Sequence, residues 1–208
     1  MTTWVQLSSG RGPEECGWVV AQLLAVFRKE ANEVGISVEV VESTPGSSPG
    51  TFRSVLLGLD GDNADMVAKE WHGTVQWIGQ SPFRPKHKRK NWFVSIQVFK
   101  PPSAIQFDMS TVRFERSRAS GPGGQHVNCT ETAVRAVHLP TGIAARASNE
   151  RSQHFNRQLA LARLVAAIAA KNEDDRATQR NSRWGQHSDL ERGNATRVYE
   201  GQRFDRVR

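Results

Sequence analysis

The sequence predicts an α+β protein of two domains. The first is an N-terminal β-α-β-β-α-β-β sandwich; the second combines a small sheet with one long helix. Three observations predict this. Residues 4–99 alternate short β-branched or aromatic runs with two segments of helical periodicity. Lys100-Pro101-Pro102-Ser103 breaks both patterns, because paired prolines disfavour helix and sheet alike. Beyond it come strand-like runs and then an alanine-rich stretch. The expected bounds are 1–100 for the first domain and 108–171 for the second, with a polar extension over 172–208.

In the first domain, Trp4–Leu7 reads as a short strand, and Ser8-Ser9-Gly10-Arg11-Gly12-Pro13 as the turn that opens a helix. Pro13 suits the first helical position, and Glu14 and Glu15 suit the positive end of the helix dipole. Cys16, Val19, Val20, Leu23, Leu24, Phe27, Ala31 and Val34 recur at helical spacing. A dinucleotide loop is rejected, since the third glycine is missing and two glutamates would repel a phosphate. Ile36–Val41 is a strand, Thr44–Gly50 a loop and Phe52–Leu59 a strand. Asp62–Trp71 is a helix stopped near Gly73, and Thr74–Ile78 and Trp92–Phe99 complete the sheet.

Between those last strands stand Arg84, Lys86, Lys88, Arg89 and Lys90, flanked by the aromatics Phe83 and Trp92. Such a loop suits RNA, by phosphate pairing and by stacking, and equally suits a solvated hairpin tip. In the second domain, Val112, Phe114 and Arg116 alternate with Arg113, Glu115 and Ser117 as a strand. Thr132–His138 and Ile143–Ala147 form a hairpin around Leu139-Pro140-Thr141-Gly142. A helix runs from about Asn149 to Lys171, with Leu161, Leu164, Val165 and Ile168 inward. Residues 172–208 either extend the helix and return Thr196–Phe204 as a strand on the first domain, or form a basic tail that orders on RNA.

The strand 112–117 leads into Ser120-Gly121-Pro122-Gly123-Gly124-Gln125-His126-Val127-Asn128. Glycine admits backbone conformations closed to other residues and brings no Cβ, so main-chain N–H groups there can approach another molecule closely. Gln125 adds an amide that donates and accepts but does not ionise. The segment can therefore supply a donor to a developing oxyanion and shape a site around one water. It supplies no strong general base. His126 reads as structural, and Cys129 as a packing residue rather than a nucleophile.

The net charge of the 208-residue chain is +7, with pI ≈ 10.0, which favours a polyanionic partner. Residues 1–107 hold 11 Lys and Arg against 10 Asp and Glu, whereas residues 108–208 hold 17 against 11. The excess therefore sits with the glycine segment, and apart from Lys171 it is carried by arginine, whose planar fork suits phosphate. No run of about eighteen apolar residues and no signal pattern is present, so a cytoplasmic protein without a membrane partner is expected. Cys16 and Cys129 lack metal-site spacing. No metal, cofactor or disulfide framework is expected.

Arg118-Ala119-Ser120-Gly121-Pro122-Gly123-Gly124-Gln125-His126-Val127-Asn128 resembles the Gly-Gly-Gln segment of the bacterial peptide-chain release factors. The resemblance continues through Ala133-Val134-Arg135, His138–Ile143 and Glu150-Arg151-Ser152-Gln153-His154-Phe155-Asn156. It implies that Gly123, Gly124 and Gln125 assist water at the peptidyl-tRNA ester inside the ribosomal peptidyl transferase centre, rather than forming a stand-alone enzyme. It also implies that Arg118, Ser120, His126, Asn128, Arg151, Gln153 and His154 hold the loop or touch 23S rRNA. Arg116 and Arg135 join this set through their charge and nearness in sequence. Cys129 departs from the family, which commonly has lysine there. Whether Gln125 carries the methylation common in the family is left open.

Ser81-Pro82-Phe83 is similar to the tripeptide with which one class of release factor discriminates stop codons. Those factors carry His-Thr-Ser further along the same loop, and Lys90-Asn91-Trp92 holds that place here. With Arg84, Lys86, His87, Lys88 and Arg89 between, the loop reads as a backbone grip on 16S rRNA or mRNA rather than a base reader. The helical domain of stop-reading factors has no counterpart ahead of Gly10, and the chain looks most like the short release factor H group. A monomeric, codon-independent rescue factor is expected. The competing readings are a stop-codon factor using Ser81-Pro82-Phe83, and an off-ribosome RNA-binding protein or peptidyl-tRNA hydrolase.

Overall fold

The computed structural model describes residues 3–101, 103–118, 131–186 and 192–208. The fold is mixed α/β, and the chain divides into two compact units. One comprises Met1–Pro101 with Asn181–Arg208, the other Pro102–Arg180.

The first unit follows the element order read from its sequence: β1 (Thr3–Ser8), α1 (Glu14–Glu33), β2 (Ser37–Pro45), β3 (Phe52–Asp60), α2 (Ala64–Trp71), β4 (Gly73–Ile78) and β5 (Asn91–Phe99). Alternation along the strands turns Val5, Leu7, Val55, Leu57, Leu59, Val94 and Ile96 toward one face. There they meet Val19, Val20, Leu23 and Phe27 of α1, and Val67, Ala68 and Trp71 of α2. Phe27 and Trp71 join the two helices edge to face at 4.9 Å. β2 runs through Thr44 and Pro45, which were expected in a loop. It can do so because it is the edge strand of its sheet, where proline's missing donor leaves no ladder bond unmade.

β9 (Arg197–Glu200) and β10 (Asp205–Arg206) complete a seven-stranded sheet of order β10-β9-β4-β5-β1-β3-β2. β9 pairs parallel with β4, and the remaining pairs are antiparallel. The Trp77 indole N–H donates to the Gly201 carbonyl at 2.8 Å, and Tyr199 stacks on Phe204 at 4.3 Å. Buried Tyr199 and Phe204 thereby enter the first unit's core. Cys16 is buried there too, and burial pushes its thiol up to about 11, so it is no nucleophile at neutral pH.

The second unit holds β6 (Val112–Ser117), β7 (Ala133–His138) and β8 (Ala144–Ala147) as an antiparallel sheet of order β6-β7-β8. Helix α3 (Gln153–Gln186) contributes Ala160, Leu164 and Ile168 to its core, against Val134, Ala136 and Ala147. These helix residues form an i, i+4 row. Val165, expected inward, stands off that row and is 40% exposed. α3 also starts later than expected and continues well past Lys171. The apolar stripe stops at Ile168, which ends the periodic signal, but charge pairs carry the helix on. Lys171 meets Asp175 at 2.7 Å, and Glu173 meets Arg180 at 2.9 Å. Among the described residues, no helix is long and apolar enough to cross a membrane. Nor does any cluster there offer a metal site.

Candidate functional site

β6 and β7 pair from Val112 opposite His138 to Ser117 opposite Ala133. Residues 118–132 therefore leave and rejoin the sheet at one closed rung. Ser120, Gly123, Gly124, Gln125, His126 and Asn128 lie outside the described residues; the frame at the segment's two ends lies within them. At the start, Arg146 Nη2 donates to the Arg118 carbonyl at 3.0 Å. Arg146 is itself held where Arg163 Nη1 donates to its carbonyl at 2.7 Å. At the end, Gln153 Nε2 donates to the Glu131 carbonyl at 2.9 Å.

Asn156 completes the frame, and sequence reading passed it over. Its side-chain amide donates to the carbonyls of Thr132 and Glu150, both at 2.8 Å, while its oxygen accepts from the Glu150 N–H at 3.0 Å. It is fully buried and extends the inward row of Ala160, Leu164 and Ile168 by one turn. A polar residue in a core row must find partners. That was the signal available in the sequence, and the partners here are the loop's exit and the approach to α3.

The arginines are distributed rather than clustered. Cross-strand pairing puts Arg116 with Phe114 on the face that carries Val134 and Ala136, toward α3. Arg135 lies on the opposite face with Glu115 and Arg146. Glu115 accepts from Arg135 at 2.9 Å and Arg113 at 2.7 Å, and these contacts hold its carboxyl below the usual range. Arg118 and Arg151 are exposed. His154 is exposed as well, and its Nε2 accepts from Gln158 Nε2 at 3.1 Å.

The basic loop between β4 and β5 is described throughout, and two expectations change there. Trp92, expected as a stacking aromatic, is fully buried. It is the second residue of β5, opposite Trp77 and in phase with Val94 and Ile96, so alternation turns it into the core. Its indole N–H donates to the Gly79 carbonyl at 3.0 Å, and the Arg89 guanidinium covers its ring at 4.7 Å. Ser81 is only 5% exposed, and its hydroxyl faces inward. It donates to Glu15 at 2.5 Å and accepts the N–H of Arg84 at 2.8 Å. Pro82 is exposed and Phe83 is 38% exposed.

Glu15 is the hub of this loop. Its carboxylate is wholly buried at the start of α1 and takes Arg84 bidentately, Nε and Nη2 each at 2.8 Å. Burial pushes its pKa up, but the Ser81 hydroxyl, the Glu15 backbone N–H and Arg84 more than offset this and hold it below its ordinary value. Sequence reading placed Glu15 on the helix dipole. Its pairing with residues more than sixty positions away is not visible from local pattern. Lys86, Lys88, Arg89 and Lys90 are exposed and have no carboxylate partner among the described residues.

The chain is thus a mixed α/β protein in which a glycine-rich segment joins two paired strands of one unit, and the other unit carries a basic hairpin anchored on a buried glutamate. The family description "RF-1 domain" matches residues 101–208. A peptide chain release factor homolog of Escherichia coli is 44% identical over 200 residues, covering 96% of this chain and 97% of that protein. Peptide chain release factor 2 of Phenylobacterium zucineum is 34% identical over 208 residues, covering 99% of this chain and 56% of its own length. The solved RF2 of Thermus thermophilus aligns at 30% identity and a TM-score of 0.48, over 97% of this chain and 58% of that one. This chain belongs to the peptide chain release factor family. It spans nearly all of the Escherichia coli homolog and little more than half of the release factor 2 proteins.

Proposed function

We propose that the chain acts in the cytoplasm, as a monomer on the ribosome, and promotes hydrolysis of peptidyl-tRNA without selecting a codon. The observation that carries this reading is the frame formed by Arg146, Gln153 and Asn156. It fixes both ends of a segment whose residues offer hydrogen-bond donors but no strong base. In the step proposed, a water oxygen adds to the ester carbonyl carbon, and the bond to the terminal ribose oxygen breaks. One of the water's protons leaves with that ribose oxygen, the other passes to solvent, and the peptide departs as its carboxylate. The Gln125 N–H stabilises the oxyanion and its amide confines the water, while Gly123 and Gly124 allow the backbone to come close. Ribosomal and transfer RNA supply the remaining catalytic groups, and no cofactor takes part.

Codon independence is supported by the inward Ser81 hydroxyl, which is engaged by Glu15 and Arg84 rather than free for a base. Burial of Trp92 at the place of the family's second codon-reading segment points the same way. The test is single-turnover peptide release from ribosomes bearing a stop codon, a sense codon, a truncated message or a damaged decoding centre. Stop and sense codons are expected to give rates within roughly a factor of ten, about 1.4 kcal/mol of discrimination. Truncated or damaged ribosomes are expected to match or exceed both. A stop-codon preference of roughly a thousandfold or more would overturn the reading in favour of a termination factor using Ser81-Pro82-Phe83.

A further inference from the structure

The first turn of α3 carries two amide side chains three residues apart, Gln153 and Asn156, and such a spacing sets them side by side on the helix. They donate to consecutive carbonyls, Gln153 to Glu131 at 2.9 Å and Asn156 to Thr132 at 2.8 Å. Thr132 is the last residue before Ala133, whose rung with Ser117 closes the sheet at the glycine-rich segment. Asn156 spends its other N–H and its oxygen on the carbonyl and N–H of Glu150, so both amide hydrogens are engaged. The segment's entry is held differently. There the Arg118 carbonyl accepts from Arg146, an exposed side chain. Stability alone would favour another residue at 156. Asparagine is a poor helix former, and the position continues the buried row of Ala160, Leu164 and Ile168, where leucine would bury more carbon. What asparagine adds is direction. A fully buried amide bonded to backbone groups on two segments has one satisfied orientation, and leaving those groups unpaired is costly. It therefore fixes the segment's exit against the bend at Glu150 and the start of α3.

We propose that Asn156 is a positioning residue for peptide release. Acting through the Thr132 carbonyl, with Gln153 on the carbonyl before it, Asn156 sets where the glycine-rich segment rejoins β7. It thereby governs the rate of the bound factor rather than its affinity for the ribosome. This role rests on the release function proposed above and adds a residue to it. A donor held about 1 Å out of place lowers a rate by roughly a hundredfold, even when the change lies away from the reacting atoms.

The experiment is single-turnover peptide release by the full chain, titrated with factor to saturation. Thermal unfolding followed by circular dichroism accompanies each variant. Asn156→Leu keeps the buried row apolar and removes all three bonds of the amide. It is expected to lower the saturated rate by about a hundredfold and to leave the half-saturating concentration within about threefold of the parent's. Leu164→Ala is the control, because it opens a cavity two turns along the same row without removing a bond of the clamp. Its folded fraction is expected to release peptide at the parental saturated rate. Gln153→Ala removes one bond, that to Glu131, from a half-buried position, and is expected to lower the saturated rate by about tenfold.

A parental saturated rate in Asn156→Leu would overturn the role, as would a loss confined to the half-saturating concentration. So would an equal fall in Leu164→Ala, which would make the effect one of stability. Where Asn156→Leu does not fold, Gln153→Ala decides, and parental release by that variant overturns the role. Failure of the release function itself looks different. Parental release by Gln125→Pro would remove the donor on which that function depends. A severe loss in Gln125→Pro beside parental release by Asn156→Leu would remove the role of Asn156 alone.

Discussion

Gln125→Pro is expected to lower the rate of peptide release by about two to three orders of magnitude, the usual cost of losing one oxyanion donor. Proline removes the backbone N–H while leaving the rest of the chain to bind the ribosome. Gln125→Ala keeps that N–H and removes only the amide, so its defect should be smaller, though still large. Under the proposed mechanism Gly124→Ala adds a Cβ where close backbone approach is needed, and it is expected to belong with the severe class. Single-turnover release at saturating factor measures all three, and sedimentation with ribosomes measures binding. Loss of release with binding retained is the expected pattern. Parental release by Gln125→Pro would show that this backbone donor takes no part.

Arg84→Ala is expected to destabilise the first unit by about 2–3 kcal/mol. Removing one partner of a buried pair leaves an uncompensated charge, here Glu15, although the partly exposed Arg84 reduces the loss. The effect should also depend on pH. Glu15 has a folded pKa below its ordinary value near 4.5, so its contribution is present above that pH and is lost as pH falls through the folded value. Without Arg84 the contacts that lower that pKa are fewer and it rises, so the variant's stability should begin to fall at a higher pH than the parent's. Every tryptophan of the chain (Trp4, Trp18, Trp71, Trp77, Trp92 and Trp184) lies in the first unit. Urea unfolding followed by tryptophan fluorescence therefore reports that unit. An unchanged midpoint at neutral pH, with an unchanged acid limb, would contradict the role given to Glu15.

Periodicity carried much of the fold. The alternation of Val112, Phe114 and Arg116, and the helical spacing from Cys16 to Ala31, each report one face of one element, and such faces are legible locally. The tail of α3 was harder to see because a helix held by charge pairs has no apolar stripe to announce it. The site divided in the same way. Gly123, Gly124 and Gln125, which lie outside the described residues, are singled out by the motif run around them, whereas Asn156 and Glu15 matter because of partners brought to them by the fold. Trp92 shows the opposite error. Beside a run of lysines it reads as an RNA-facing aromatic, yet its strand phase commits it to the core. Parity with Val94 and Ile96 was the better guide.

The claim on which the account turns is that this chain lends a hydrogen-bond donor to a catalyst made of RNA. The most direct measurement follows hydrolysis of one purified peptidyl-tRNA by the same protein, free in solution and bound in the ribosome. Release is expected on the ribosome and, without it, a rate no higher than the spontaneous one. Turnover of free peptidyl-tRNA, abolished by Gln125→Pro, would contradict it and make the chain a hydrolase in its own right.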